Sequence, residues 1–467
     1  MAMTMLFCRS SVAIQTMQEA AVQDAKPVAV VVVVFQPASH LIFLKRKDVY
    51  PFACFHDTSF YYVKFNYTMS WIPICADQSA FFEELCRKIH ASFGRSPHGF
   101  SSQEETSLMY GKAGFALYYG YAYKVFNDNK YLELFSQTLD ELMAALEQQA
   151  DPSFNFGRGM AGICWGLEHI SSLELNRTEV VIGEYKPLLE QFSETCLLNK
   201  DYDYLLGGLG YPFSLLQKEL SAAEQAYVSK SVQLLEDISI KQNGYIYWEQ
   251  LKPDEPGKIN LGVAHGLPGI LVYLSKCYQR GISKNTCEQL IAPAMAYLLQ
   301  ARLVNKSSVF PYAIVNNEKL GETPMRWCYG DMGAGLALIL IGRNCNNPNW
   351  VHEGIRIGLS CVKRIQEAEY VVDAHICHGT AGLAHIFNRY YQYSGNEAFK
   401  EAAINCLDIT LTRAMYKKNY IQFVADKGDF GTITIDGLME GAAGIGLILM
   451  SAISTVEPKW DSCFLMS

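Results

Sequence analysis

Residues 260–277, NLGVAHGLPGILVYLSKC, decide how the chain is read. Two glycines three apart, Gly266 and Gly269, open a segment that is apolar on nearly every side, which is the mark of a buried helix. The pattern recurs at Gly111-Gly114, Gly159-Gly162, Gly207-Gly210, Gly330-Gly333, Gly379-Gly382 and Gly441-Gly444. Intervals between the second glycines are 48, 48, 59, 64, 49 and 62 residues, so the chain holds seven copies of one unit.

Working outward, each copy is preceded by a longer stretch with apolar residues at i, i+3 and i+4 and a charged opposite face. These stretches are Ala80–Phe93, Tyr131–Gln148, Thr178–Leu198, Ala222–Ile240, Cys287–Leu303, Val351–Ala368 and Ala398–Met415. Seven amphipathic helices alternating with seven buried ones predict an all-α fold in two layers. The expected form is an α/α toroid with seven outer and seven inner helices, although an open superhelical solenoid would satisfy the same repeat. Glycine at an inner helix start permits a tight turn and close approach to a neighbouring helix. Alternation and turn residues at Gly244–Trp248, Ser308–Val315 and Tyr420–Ile435 predict short hairpins along one rim. The ring is expected to occupy residues 69–467 as one domain. Residues 1–68 stand apart as an N-terminal extension of unknown role, with a valine-rich run (Val28–Phe35) that fits a strand.

Composition excludes several classes. The net charge is −8 with no basic run, so no nucleic-acid partner is expected. No apolar stretch reaches the ~20 residues needed to span a bilayer. Fourteen cysteines without C-x-x-C spacing point to reduced thiols and a cytoplasmic location.

In an alternating ring all inner helices start at one end, so the residues just before each Gly-x-x-Gly share a rim. Cys328 and Cys377 each stand two residues before their first glycine. His265, Tyr329 and His378 stand one before, and Asp203 stands four before Gly207. Two thiols and an imidazole in matched register suit one tetrahedral zinc ion, and helix N-termini favour the thiolates it needs. Cys328, Cys377 and His378 are therefore the expected ligands. The fourth position is open to water or substrate unless His375 or Cys345 closes it. Taken singly, Cys164, Cys277, Cys287, Cys345, Cys361 and Cys406 read as small core hydrophobes. His169, His375 and His385 read as packed histidines.

The stretches NLGVAHGLPG (260–269), WCYG (327–330) and CHGTAG (377–382) resemble the signature motifs of the lanthionine synthetase C-like (LanC) cyclases, over about Tyr110 to Met450. The resemblance implies an α/α toroid carrying one zinc ion on Cys328, Cys377 and His378. It implies a zinc-dependent enzyme that adds peptide cysteine thiols to dehydroalanine or dehydrobutyrine, closing lanthionine or methyllanthionine rings. His265 then takes the place of the catalytic acid or base, Asp203 its orienting carboxylate, and Tyr329 a hydrogen-bond donor to the enolate or a peptide carbonyl. Where the family often has arginine, four residues before the first zinc cysteine, this chain has Pro324; Arg326 is the arginine close by. Gly208-Leu209 replaces a common Leu-Ser pair. The implied partners are a dehydrated precursor peptide, a dehydratase and an exporter, with membrane association only through such a complex. Two other functions fit less well: glutathione addition to dehydrated residues, and a non-catalytic peptide-binding ring with structural zinc.

Overall fold

The inner helices form where the sequence is apolar on every side. They are α3 (Lys112–Phe126), α5 (Met160–Ser171), α7 (Gly210–Leu215), α9 (Leu267–Gln279), α11 (Asp331–Asn344), α13 (Thr380–Ser394) and α15 (Ala442–Ile453). Every residue of α15 is buried. The outer helices are α1 (Ser79–His90), α4 (Asn129–Glu147), α6 (Lys186–Leu198), α8 (Ala222–Ile238), α10 (Lys284–Gln300), α12 (Pro348–Val362) and α14 (Glu397–Thr412). Four of these starts follow ordinary capping chemistry. Asp128, Asn347 and Asn396 accept from backbone N–H groups of the first turn, and Ser221 with Glu224 forms a capping box. One further short helix, α2 (Ser102–Thr106), precedes the first inner helix.

This computed structural model describes residues 70–95, 102–175, 183–252, 255–371, 373–426 and 432–467, with two short strands before them. Its contacts separate Met1–Val63 from Lys64–Ser467. In the first unit β1 (Ile14–Gln15) pairs antiparallel with β2 (Val32–Val33). The rest of the valine-rich run lies outside the described residues, as do residues 178–182 of the expected third outer helix.

The second unit is a closed α/α toroid. Inner helices pack side by side in chain order from α3 to α7 and from α9 to α15, and α15 packs back on α3. Four outer helices pair most closely with the inner helix preceding them (α4 with α3, α10 with α9, α12 with α11, α14 with α13), while α1 packs on α15 and closes the circle. Residues 459–466 run into the interior of the ring. Trp327 Nε1 donates to the Phe464 carbonyl at 2.7 Å and the Tyr204 hydroxyl to that of Cys463 at 3.0 Å.

The rim hairpins are present and larger than expected. β3 (Ile240–Gln242) pairs with β4 (Tyr245–Tyr247). β5 (Gln250–Lys252), β6 (Glu255–Asn260), β7 (Pro311–Val315) and β8 (Glu318–Glu322) form one four-stranded antiparallel sheet that joins two repeats. β10 (Ile421–Asp426) lies between β9 (Ala414–Tyr416) and β11 (Thr432–Thr434). No helix among the described residues is long and apolar enough to cross a membrane.

Candidate metal centre

The loop before each inner helix folds back over that helix's first turn, which explains the glycines. A Cβ at Gly266 would collide with the Asn260 carbonyl, one at Gly269 with that of Val263, and one at Gly382 with that of Ile376. Close approach therefore involves the chain's own preceding loop as well as the neighbouring repeat, where Val263 meets Gly333 and Leu438 meets Gly114. Gly330 adds a backbone demand, since its φ of +98° suits glycine. Successive loops are then stitched together by backbone bonds: Gly157 N–H to Leu205 O, Tyr204 to Ala264, Trp327 to Cys377, Cys377 to Met439 and Met439 to Met109. This belt holds the residues just before the glycines on one rim.

On that rim His265 Nδ1 lies 2.8 Å from Asp203 Oδ2. The other Asp203 oxygen accepts from the N–H groups of Leu205 and Leu206 at 2.9 and 3.0 Å. Asp203 is buried, and the His265 side chain is 19% exposed. Tyr329 stacks on the His265 ring with centroids 5.1 Å apart, and its hydroxyl accepts from Asn260 Nδ2 at 3.2 Å. Tyr312, on β7, packs tilted against Tyr329 with ring centroids 4.6 Å apart.

Beside Tyr329 one ligand atom each from Cys328, Cys377 and His378 lies within 4.8 Å of the others. Tetrahedral zinc with two sulfurs and a nitrogen needs its donors about 3.5–3.8 Å apart, a spacing this set can meet. Both thiols are buried and His378 is partly open. The Cys328 thiol is held well below its ordinary value, first by the hydrogen bond shared with Cys377 and then, against burial, by His378. Cys377 is pushed well above, first by that same bond and then by burial. For His378 burial opposes protonation, but contacts with Asp373 and Cys328 outweigh it and push the imidazole up to about 9. Ligation requires deprotonated thiols and a free ring nitrogen. A divalent cation would replace the protons these groups share.

The other expected residues separate clearly. Cys345 caps the far end of the fourteen-residue α11. It is on the order of 20 Å from Cys328 and cannot reach the ligand set. His375 is buried against the site, its ring 4.5 Å from that of His378. Arg326 is exposed, and its charge acts on Cys377. His385 is more than a packed histidine, because its Nε2 bonds Asp461 Oδ2 at 2.7 Å. Sequence reasoning missed Asn260, Tyr312 and Asp373. The run D-x-H-x-C-H at 373–378 was a readable signal for Asp373, whereas Tyr312 reaches the rim only through the four-stranded sheet.

A toroid with a Cys-Cys-His set and a His-Asp pair on one rim defines a narrow class of helical ring proteins. The profile of the family described as "Lanthionine synthetase C-like protein" matches residues 102–465, and the chain belongs to that family. It is 24% identical over 204 residues to "Nisin biosynthesis protein NisC" of Lactococcus lactis subsp. lactis, a match covering 41% of this chain and 44% of that protein. The match thus spans less than half the length of that relative. The solved structure "Nisin cyclase" superposes with a TM-score of 0.64 at 17% identity, covering 84% of this chain and 98% of that one, and so shares its fold.

Proposed function

We propose that the chain is a zinc-dependent lanthipeptide cyclase, acting through residues 69–467 on a dehydrated precursor peptide. The observation that carries this reading is a buried-carboxylate/histidine pair and a Cys-Cys-His donor set on one rim, joined by the Tyr329 ring. Zinc held by Cys328, Cys377 and His378 would lower the pKa of a substrate cysteine thiol. As the C–S bond forms at the β-carbon, the C=C bond opens and the α-carbon takes one proton, so peptide mass is unchanged. Asp203 on Nδ1 leaves Nε2 of His265 as the atom that carries that proton. Tyr329 keeps the ring in place by stacking and offers its hydroxyl to the developing enolate oxygen. Arg326 adds positive charge near Cys377. The exposed Leu206 and Tyr312 border the His265 side and give a peptide apolar ground. Docking to a dehydratase and an exporter belongs to the same proposal.

The test has two parts. Purified protein should carry about one zinc per chain, and Cys377→Ala should lose most of it; full retention defeats the ligand assignment. A dehydrated peptide with free cysteines should lose its alkylatable thiols at constant mass. Mass gain only with glutathione would favour the adduct-forming reading, and binding without chemistry would favour a scaffold. A chain starting at Met69 should perform alike.

A further inference from the structure

We infer that Asp373 is a positioning residue for the metal centre: its carboxylate holds His378 through Nε2, so that Nδ1 is the nitrogen presented to the metal. The inference rests on the metal reading above and adds to it the nitrogen used and the group that selects it. Asp373 Oδ2 lies 3.1 Å from His378 Nε2, and Oδ1 lies 3.2 Å from His375 Nε2. The side chains of Asp373 and His375 are 8% and 2% exposed. One buried carboxylate therefore meets two imidazoles whose planes stand at 84°. An imidazole engaged at Nε2 by a carboxylate keeps its proton there and has its lone pair on Nδ1. A carboxylate in this place also raises the basicity of a ligating ring.

The backbone makes the clamp rigid. The carbonyls of Asp373, Ala374 and His375 accept from the N–H groups of Thr380, Ala381 and Gly382 at 3.1, 3.1 and 3.2 Å, and Ala374 N–H donates to Val424 O at 3.3 Å. Asp373 is thus fixed to the first turn of α13 and to strand β10. Its register position, six residues before the first glycine, is occupied in the fourth repeat by Asn260, which holds the Tyr329 hydroxyl at 3.2 Å. Two repeats use the same place to orient a rim side chain.

The test compares full-length wild type with Asp373→Asn. An amide offers one acceptor face and one donor face, so it can turn its NH2 toward His378. With the NH2 facing His378 the proton moves to Nδ1, the atom the metal needs. Chelator competition should show zinc held about 10–100-fold more weakly by the variant. The metal-free forms should melt together, because the change is nearly isosteric. Equal zinc affinity overturns the clamp, and so does an equal loss of melting temperature with and without zinc, which marks a structural role. Independently of any variant, imidazole 15N spectra of the zinc-loaded wild type should show His378 protonated at Nε2 and metallated at Nδ1. Metal on Nε2 overturns the inference even if Asp373→Asn does not fold. Wild type that binds no zinc, or binds it undiminished in Cys377→Ala, defeats the metal reading and the clamp with it. Zinc that depends on Cys377 but not on Asp373 defeats the clamp alone.

Discussion

His265 and His378 occupy the same register position in repeats four and six, and each meets a buried aspartate, but through opposite nitrogens. Asp203 engages Nδ1 of His265, leaving the outer Nε2 for the proton transfer we propose. Asp373 engages Nε2 of His378, leaving Nδ1, close to the ring's own backbone, for the metal we propose. On the proposed reading the same residue type takes two tasks according to which ring nitrogen meets the carboxylate. His265→Ala should keep the zinc and lower kcat for cyclisation by about 10²–10⁴-fold, the usual worth of a positioned acid or base. Metal analysis and turnover of one preparation check this, and loss of zinc would make His265 a ligand instead.

At the scale of the element, the repeat is a loop laid over a helix start. The loop carbonyls accept from the first N–H groups of the inner helix, as from Met160 N–H to Ser153 O at 2.8 Å and Ala442 N–H to Ile435 O at 3.0 Å. This supplies partners for donors that a helix leaves unsatisfied. It also leaves no room for a side chain, which is why both motif positions are glycine. Gly162 shows the effect away from the Cys-Cys-His set, since a Cβ there would strike the Phe156 carbonyl, which is backbone and cannot rotate away. Gly162→Ala should destabilise the fold by about 1–3 kcal/mol, as overpacking does. The midpoint of denaturant unfolding reads this, and an unchanged midpoint would mean that the loop relaxes freely.

At the scale of the molecule, the ring is closed by its ends and filled by its last segment. Asp461 is fully buried and accepts from Arg389 Nε at 2.6 Å, from an Arg389 terminal nitrogen at 2.9 Å, and meets His385 at 2.7 Å. Burial works against its ionisation, but Arg389 and His385 outweigh it and hold the carboxyl down at about 2. A carboxylate with a depressed folded value contributes stability that is present above the unfolded value of ~3.9 and is lost as pH falls toward 2. Asp461→Asn removes the buried counter-charge of Arg389 and leaves it only the half-exposed Glu457 at 3.7 Å, so at neutral pH it should cost about 3–5 kcal/mol. The gap to wild type should narrow below about pH 4. A gap that stays constant down to pH 2 would show that lost shape, not lost charge, is responsible.

Sequence alone determined the seven repeats, the alternation of amphipathic and apolar helices, and the register that puts Cys328, Cys377, His378 and His265 before their glycines. All of these are local, set by spacing of a few residues within one repeat. Helix ends were less legible. The fourth outer helix stops at Ile238 because Ile240 enters a strand, and the sixth stops at Val362, followed by a 3-10 turn over Ile365–Tyr370. Only the tertiary structure decided which repeats touch. It chose a closed ring over an open solenoid through α15 on α3 and α1 on α15, and it paired α3, α9, α11 and α13 with the outer helix that follows each. It also brought Tyr312 to Tyr329 through strand pairing between residues 258–260 and 313–315. The nitrogen each histidine leaves free was likewise beyond the sequence, because spacing along a chain fixes which residues share a rim but not how their rings are turned by carboxylates that reach them across the fold.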